Sequence, residues 1–172
     1  MEKWIPIIII SLLSILLIVY LVVYFRDKKV LDKEAAGKRK DSNAALQLRL
    51  QAYERLVLLA DRIALPNLIS RLNMAGVSAK EMQLLLIQTT RQEFEHNTTQ
   101  QIYVSTEAWE AIKNLKEQNM LIINQVSSFL PENASGSDLN KALMELLVQN
   151  PQASLHGIVS EALSYEAKNL LK

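Results

Sequence analysis

The residues with the clearest chemical potential stand together as Glu93, Phe94, Glu95 and His96. Glu93 and His96 are three apart, a spacing that turns a carboxylate and an imidazole to one side of a helix. Carboxylate-bridged di-iron bundles use Glu-x-x-His in this way, but they need two copies and carboxylates from two further helices. The second histidine, His156, has Ala153 where the glutamate should be, so Glu93 and His96 are metal candidates that make half a site. The competing reading is a histidine whose cation suits the negative end of a helix. The chain has no cysteine, which excludes disulfides, thiolate metal sites and cysteine nucleophiles. It carries no glycine-rich phosphate loop, nucleophile elbow or HExxH, and its Ser, His and Asp residues suggest no triad. No catalytic residue and no cofactor are expected.

A second group of residues suits recognition rather than reaction. Asn119 interrupts an apolar helical row, where a single amide can fix register between paired helices. The competing reading is a turn toward solvent or a backbone partner. Tyr53, Trp109 and the run Leu84, Leu85, Leu86, Ile87 are candidate contacts for a partner helix, with core packing as the alternative for each. Four consecutive apolar residues at about 100° per step cover a whole helix circumference, which predicts a central or interfacial helix. Asn97-Thr98-Thr99 and Asn133-Ala134-Ser135 match the glycosylation pattern but read as turns in a cytoplasmic domain.

Helices must position these residues. Leu46, Leu50, Tyr53, Val57, Ala60 and Ala64 fall at alternating steps of four and three, with Ala52, Leu56, Leu59 and Ile63 beside them. Gln47, Gln51, Glu54, Arg55, Asp61 and Arg62 fill the opposite face, so this helix is built to pack on one side. Pro66 interrupts it, and LPNLISRLN reads as a break followed by a short helix. Gly76 ends that piece, and Ser78 with Glu81 forms a capping box for the next helix, which carries Met82 to Phe94. Ser105 or Thr106 caps a long helix whose inward row is Ala108, Ile112, Leu115, Asn119, Ile122, Val126 and Phe129. After the PENASGS loop come a helix from about Asp138 to Gln149 and a last one opened by Asn150 and Pro151, with Leu155, Val159, Ala162 and Leu170 inward. No repeat of fixed length is visible.

Ahead of these helices stands Trp4–Phe25, an uncharged stretch whose roughly 22 residues make a helix of about 33 Å, enough for a bilayer core of about 30 Å. Trp4 at one end and Tyr20 and Tyr24 at the other suit the two membrane interfaces. Arg26, Lys28 and Lys29 open a segment, 26–40, with seven basic and three acidic residues. By the positive-inside rule this places the N-terminus outside and the bulk of the chain in the cytoplasm. From Asp41 onward 11 basic and 14 acidic residues leave a slightly acidic domain, without the basic footprint that nucleic acid requires. The expected organisation is a transmembrane anchor (1–25), a basic juxtamembrane linker (26–43) and a helical domain (44–172). The fold class is all-α: one N-terminal transmembrane helix followed by a compact bundle of about five helices.

The stretches LQLRLQAYERLVLLADRIALPNLISRL, RQEFEHNTTQQIYVSTEAWEAIKNLKE and LPENASGSDLNKALMELL together resemble a family of small single-span membrane proteins from the Bacteroidota with no assigned activity. The resemblance implies a bacterial inner-membrane protein and carries over no functional residue. The function expected is an interaction or scaffolding module acting by helix-face recognition. Its partners would be the lipid bilayer and either another protein or further copies of itself. The rivals are a metal-binding or enzymatic domain using Glu93 and His96, and an accessory subunit of a larger membrane complex.

Overall fold

The computed structural model describes residues 42–150 and 155–171. The expected span and the expected linker as far as residue 41, with Trp4, Tyr20, Tyr24, Arg26, Lys28 and Lys29, lie outside the described residues, while the last two linker positions, 42 and 43, already belong to a helix. Among those described, no helix is long and apolar enough to cross a membrane. Residues 46–172 form one compact unit.

The described chain is all-helical. It begins with α1 over residues 42–63 and continues with α2 (Leu65–Leu72), α3 (Ala79–His96), a 3₁₀ turn (Thr98–Ile102), α4 (Thr106–Ser128), α5 (Gly136–Gln149) and α6 (His156–Asn169). From Ala52 onward the two apolar rows of α1 are buried apart from the half-buried Val57, whereas no residue over 42–51 is buried. Two apolar clusters make the interior. Leu65, Leu68, Met82, Leu86, Ile123, Leu139 and Leu143 join α2, α3, α5 and the second half of α4. Tyr53, Leu56, Leu59, Ile63, Ile112, Leu115 and Leu163 join α1, α6 and the first half of α4. α4 therefore runs through both, and Asn119 stands between Leu115 of one and Ile122 of the other.

The break between α1 and α2 follows from Pro66. Proline has no N–H to give the Arg62 carbonyl, and its ring collides with that carbonyl in a continuous helix. Ala64 swings to ψ 127°, and three carbonyls lose their regular helical donors. Side chains replace them. Asn67 Nδ2 donates to the Asp61 carbonyl at 3.0 Å, Arg71 Nη2 to the Arg62 carbonyl at 3.3 Å, and Asn119 Nδ2 to the Ile63 carbonyl at 2.7 Å. A buried carbonyl left without a donor costs about 1–3 kcal/mol. The interruption of the apolar row at Asn119 thus serves a backbone group on another helix.

The expected capping box is present: Ser78 Oγ accepts from the Glu81 N–H while the Glu81 carboxylate accepts from the Ser78 N–H. A second one, Ser135 with Asp138, opens α5, so that helix starts at Gly136 rather than near Asp138. The two capped loops lie side by side. Ala79 N–H donates to the Ala134 carbonyl at 2.9 Å and Gly136 N–H to the Val77 carbonyl at 2.8 Å, forming an isolated antiparallel bridge between Ser78 and Ser135. Counted from each serine, a large buried apolar residue four positions on (Met82, Leu139), a buried amide (Gln83, Asn140) and a buried leucine (Leu86, Leu143) fall in step. Two helix–loop–helix units, α2–α3 and α4–α5, are paired through their loops. Only the serines and acidic caps are alike enough to see in the sequence, so no repeat was legible there.

Two expected placements differ. Phe129 is the C-cap of α4 and 86% exposed, because the helix ends at Ser128 and releases it from the inward row. α6 opens at His156 after the N-cap Leu155, later than the expected opening at Asn150 and Pro151, of which Pro151 lies outside the described residues, and it buries Val159 and Leu163, leaving Ala162 exposed. The helix carrying Leu84–Ile87 packs against α2, α4 and α5; within the run Leu86 is buried, Leu85 and Ile87 are half-buried, and Leu84 is 54% exposed.

Candidate interaction surface

Glu93 and His96, the metal candidates, sit near the C-terminal end of α3. Both oxygens of Glu93 are engaged by Arg62 of α1, which donates from Nε to Oε2 at 2.8 Å and from Nη2 to Oε1 at 2.6 Å. Arg71 of α2 adds a 3.3 Å contact to Oε1. The Arg62 hydrogen bonds are the main reason the Glu93 carboxyl lies below the usual carboxylate range, against an opposing effect of partial burial. A two-pronged guanidinium–carboxylate pair of this kind is directional and charge-assisted; here it ties α1 to α3, and the Arg71 contact adds α2. Among the described residues no group of three or more His, Asp or Glu is placed to hold a metal ion.

Tyr53 and Trp109 are packed rather than free. The Tyr53 hydroxyl donates to Glu166 Oε2 of α6 at 2.7 Å and accepts the Ser105 N–H at 3.1 Å. Ser105 Oγ donates to the same carboxylate oxygen at 2.6 Å and caps α4 by accepting from the Ala108 N–H. This small network joins α1, α4 and α6 at the edge of the core. Ser105 was legible as a cap, whereas Glu166 carried no signal beyond its helical position. Trp109 lies 5.0 Å from Phe94 between ring centroids, and Lys116 covers the other ring at 4.4 Å. Leu86 belongs to the core, and Asn119 has the backbone partner already described.

Exposed apolar side chains occur on several elements, and one such surface is the outer face of α1. Its centre is Leu58, 57% exposed, with a depression on each side. Toward α3 lies one of about 390 Å³, lined by Arg55, Leu58 and Arg62 together with Glu93, His96 and Asn97. Toward α6 lies a groove of about 570 Å³, whose floor of Tyr53, Val57 and Ala167 is mostly apolar and whose rim carries Glu54, Asp61 and Lys168. Of the charges that α1 itself contributes, the two arginines stand on one flank of the Leu58 ridge and the two carboxylates on the other. The groove is the wider and more apolar of the two, the character expected of a site that receives a side chain or helix rather than a solvated ion.

Comparison with curated proteins gives no match. Comparison with solved structures gives none either. Over residues 2–170 the chain matches the model of DUF7935, a family of unknown function, and it belongs to that family.

Proposed function

We propose that this protein is a single-span membrane protein, anchored through Trp4–Phe25 with its N-terminus outside, whose cytoplasmic helical domain is an interaction module acting through the outer face of α1. The uncharged 4–25 stretch followed by the basic 26–40 segment supports the anchor and its orientation. One observation carries the interaction reading: the mostly apolar groove between α1 and α6, continuous with the exposed Leu58. Apolar surface open to water beside a charged rim is the arrangement of a docking site for an amphipathic helix.

The test is crosslinking in native membranes, recovery through a C-terminal tag, and identification of what is attached. The wild-type chain should yield a reproducible partner that Leu58→Glu loses, while the variant keeps its thermal unfolding profile. Equal recovery by the Leu58→Glu chain would refute the α1 face as the docking surface. Release of the chain from membranes by alkaline carbonate would refute the anchor.

A further inference from the structure

The charges around Leu58 are arranged on two sides. On a helix turning about 100° per residue, Gln47, Gln51 and Leu58 share one line, and all three are exposed. Arg55 and Arg62 flank it on the α3 side, and Glu54 and Asp61 on the α6 side. From this segregation we infer that α1 pairs in parallel with α1 of a second copy of this chain, about a twofold axis running along the helices.

Symmetry selects the direction. A twofold axis parallel to the helices carries the basic flank of one copy to the acidic flank of the other. It also keeps equal residue numbers level, so Arg55 meets Glu54 of the partner subunit and Arg62 meets Asp61 of the partner subunit, each offset by about 1.5 Å of rise. An antiparallel pair about a perpendicular axis sets arginine against arginine and carboxylate against carboxylate, which is repulsive. The same pairing places the Leu58 ridge of each copy beside the apolar groove of the other. On the groove side, Leu46 and Leu50 continue the apolar line beyond the buried part of α1, both half-exposed.

The occupant is a second copy because one face supplies both the charges and their complements. Arg62 is already held by Glu93, so Arg55 and Glu54 form the decisive pair. The contact is thin, with a single exposed leucine at its centre, and surface ion pairs contribute little in free solution. It gains from the anchor proposed above, on which this part of the inference rests: a span preceding α1 gives every copy the same orientation and raises the local concentration.

The absence of cysteine makes single-cysteine crosslinking clean. Gln47→Cys, Gln51→Cys and Leu58→Cys chains are oxidised in membranes and in the soluble fraction, with Val148→Cys, 75% exposed on α5, as control. All three α1 positions should give covalent dimers and Val148→Cys should stay monomeric. In the Leu58→Cys background Arg55→Glu should lower the dimer yield about tenfold, and adding Glu54→Arg should restore it. Dimer at only one α1 position, dimer at Val148→Cys as well, or monomer throughout overturns the pairing. Carbonate extraction of the same samples scores the anchor separately. A carbonate-resistant chain that stays monomeric sinks the pairing alone, an extracted chain that dimerises sinks the anchor alone, and an extracted monomer sinks both.

Discussion

Replacing Asn119 by aspartate tests the account of the α1–α2 break most sharply. The side chain keeps its shape but exchanges the donor that meets the Ile63 carbonyl at 2.7 Å for an acceptor, at a position only 4% exposed. The buried acid can restore the bond only when protonated. Protonating an ordinary carboxyl at pH 7 costs about 1.4 kcal/mol for each unit above its usual value near 3.9, or roughly 4 kcal/mol. At pH 4 the same step costs less than about 0.5 kcal/mol. Such a group has its folded pKa raised, so it binds more protons folded than unfolded, and its contribution is lost as pH rises. Urea titrations of the full chain, followed by circular dichroism at pH 4, 5.5 and 7, should show the variant about 4 kcal/mol less stable than wild type at pH 7. Near pH 4 the difference should fall to about 1 kcal/mol or less. A difference that does not change with pH, or one below about 1 kcal/mol at pH 7, would mean that the amide does not face a buried carbonyl.

Tyr53→Phe should cost about 1–2 kcal/mol by removing the donor to Glu166 and the acceptor for the Ser105 N–H, read as a fall of about 5 °C in Tm. Gly136→Ala should cost about 1–3 kcal/mol through overpacking, since its Cβ would lie 2.7 Å from Val77 Cγ2 and 3.1 Å from Met82 Cβ. Gly157→Ala, with open space around it, should be neutral or stabilising in the same melts. Stability should begin to fall as pH drops through the usual carboxylate range and go on falling below it. Glu93 is held low by Arg62, Glu81 by the Ser78 N–H and hydroxyl, and Asp138 by the Ser135 hydroxyl and N–H. Depressed folded values mean stability that is present above the unfolded values and lost as pH falls through the folded ones. A Glu93→Gln, Glu81→Gln, Asp138→Asn chain should therefore show a flatter acid limb, and an unchanged one would refute these assignments.

What could be read along the chain was local. The apolar rows of α1 and α4, the break at Pro66 and the Ser78–Glu81 capping box all depend on neighbours within a turn or two, and the helices formed where that pattern placed them. The start of α5 was readable from Ser135 and Asp138, which repeat the capping pattern, but the glycine between them suggested loop. The partners that organise the domain come from distant segments. Nothing near Glu93 announces Arg62, and the carbonyl served by Asn119 exists as an acceptor only because a proline elsewhere interrupts a helix. Likewise, the two charged flanks of α1 read as one solvated face until α3 and α6 came to lie on either side of Leu58.

The sharing of α4 between two apolar clusters sets how the domain breathes. The cluster built on α2, α3 and α5 is closed by the paired loops at Ser78 and Ser135, whereas α6 is held by Val159, Leu163 and the Glu166 hydrogen bonds. Detachment of α6 therefore leaves the other cluster and its half of α4 intact, so opening can be partial. Amide protons of α6 should exchange with solvent well before those around Leu86 and Leu143. Because α6 is also one wall of the groove beside Leu58, that early-exchanging segment is the one whose departure would widen the docking surface without unfolding the rest.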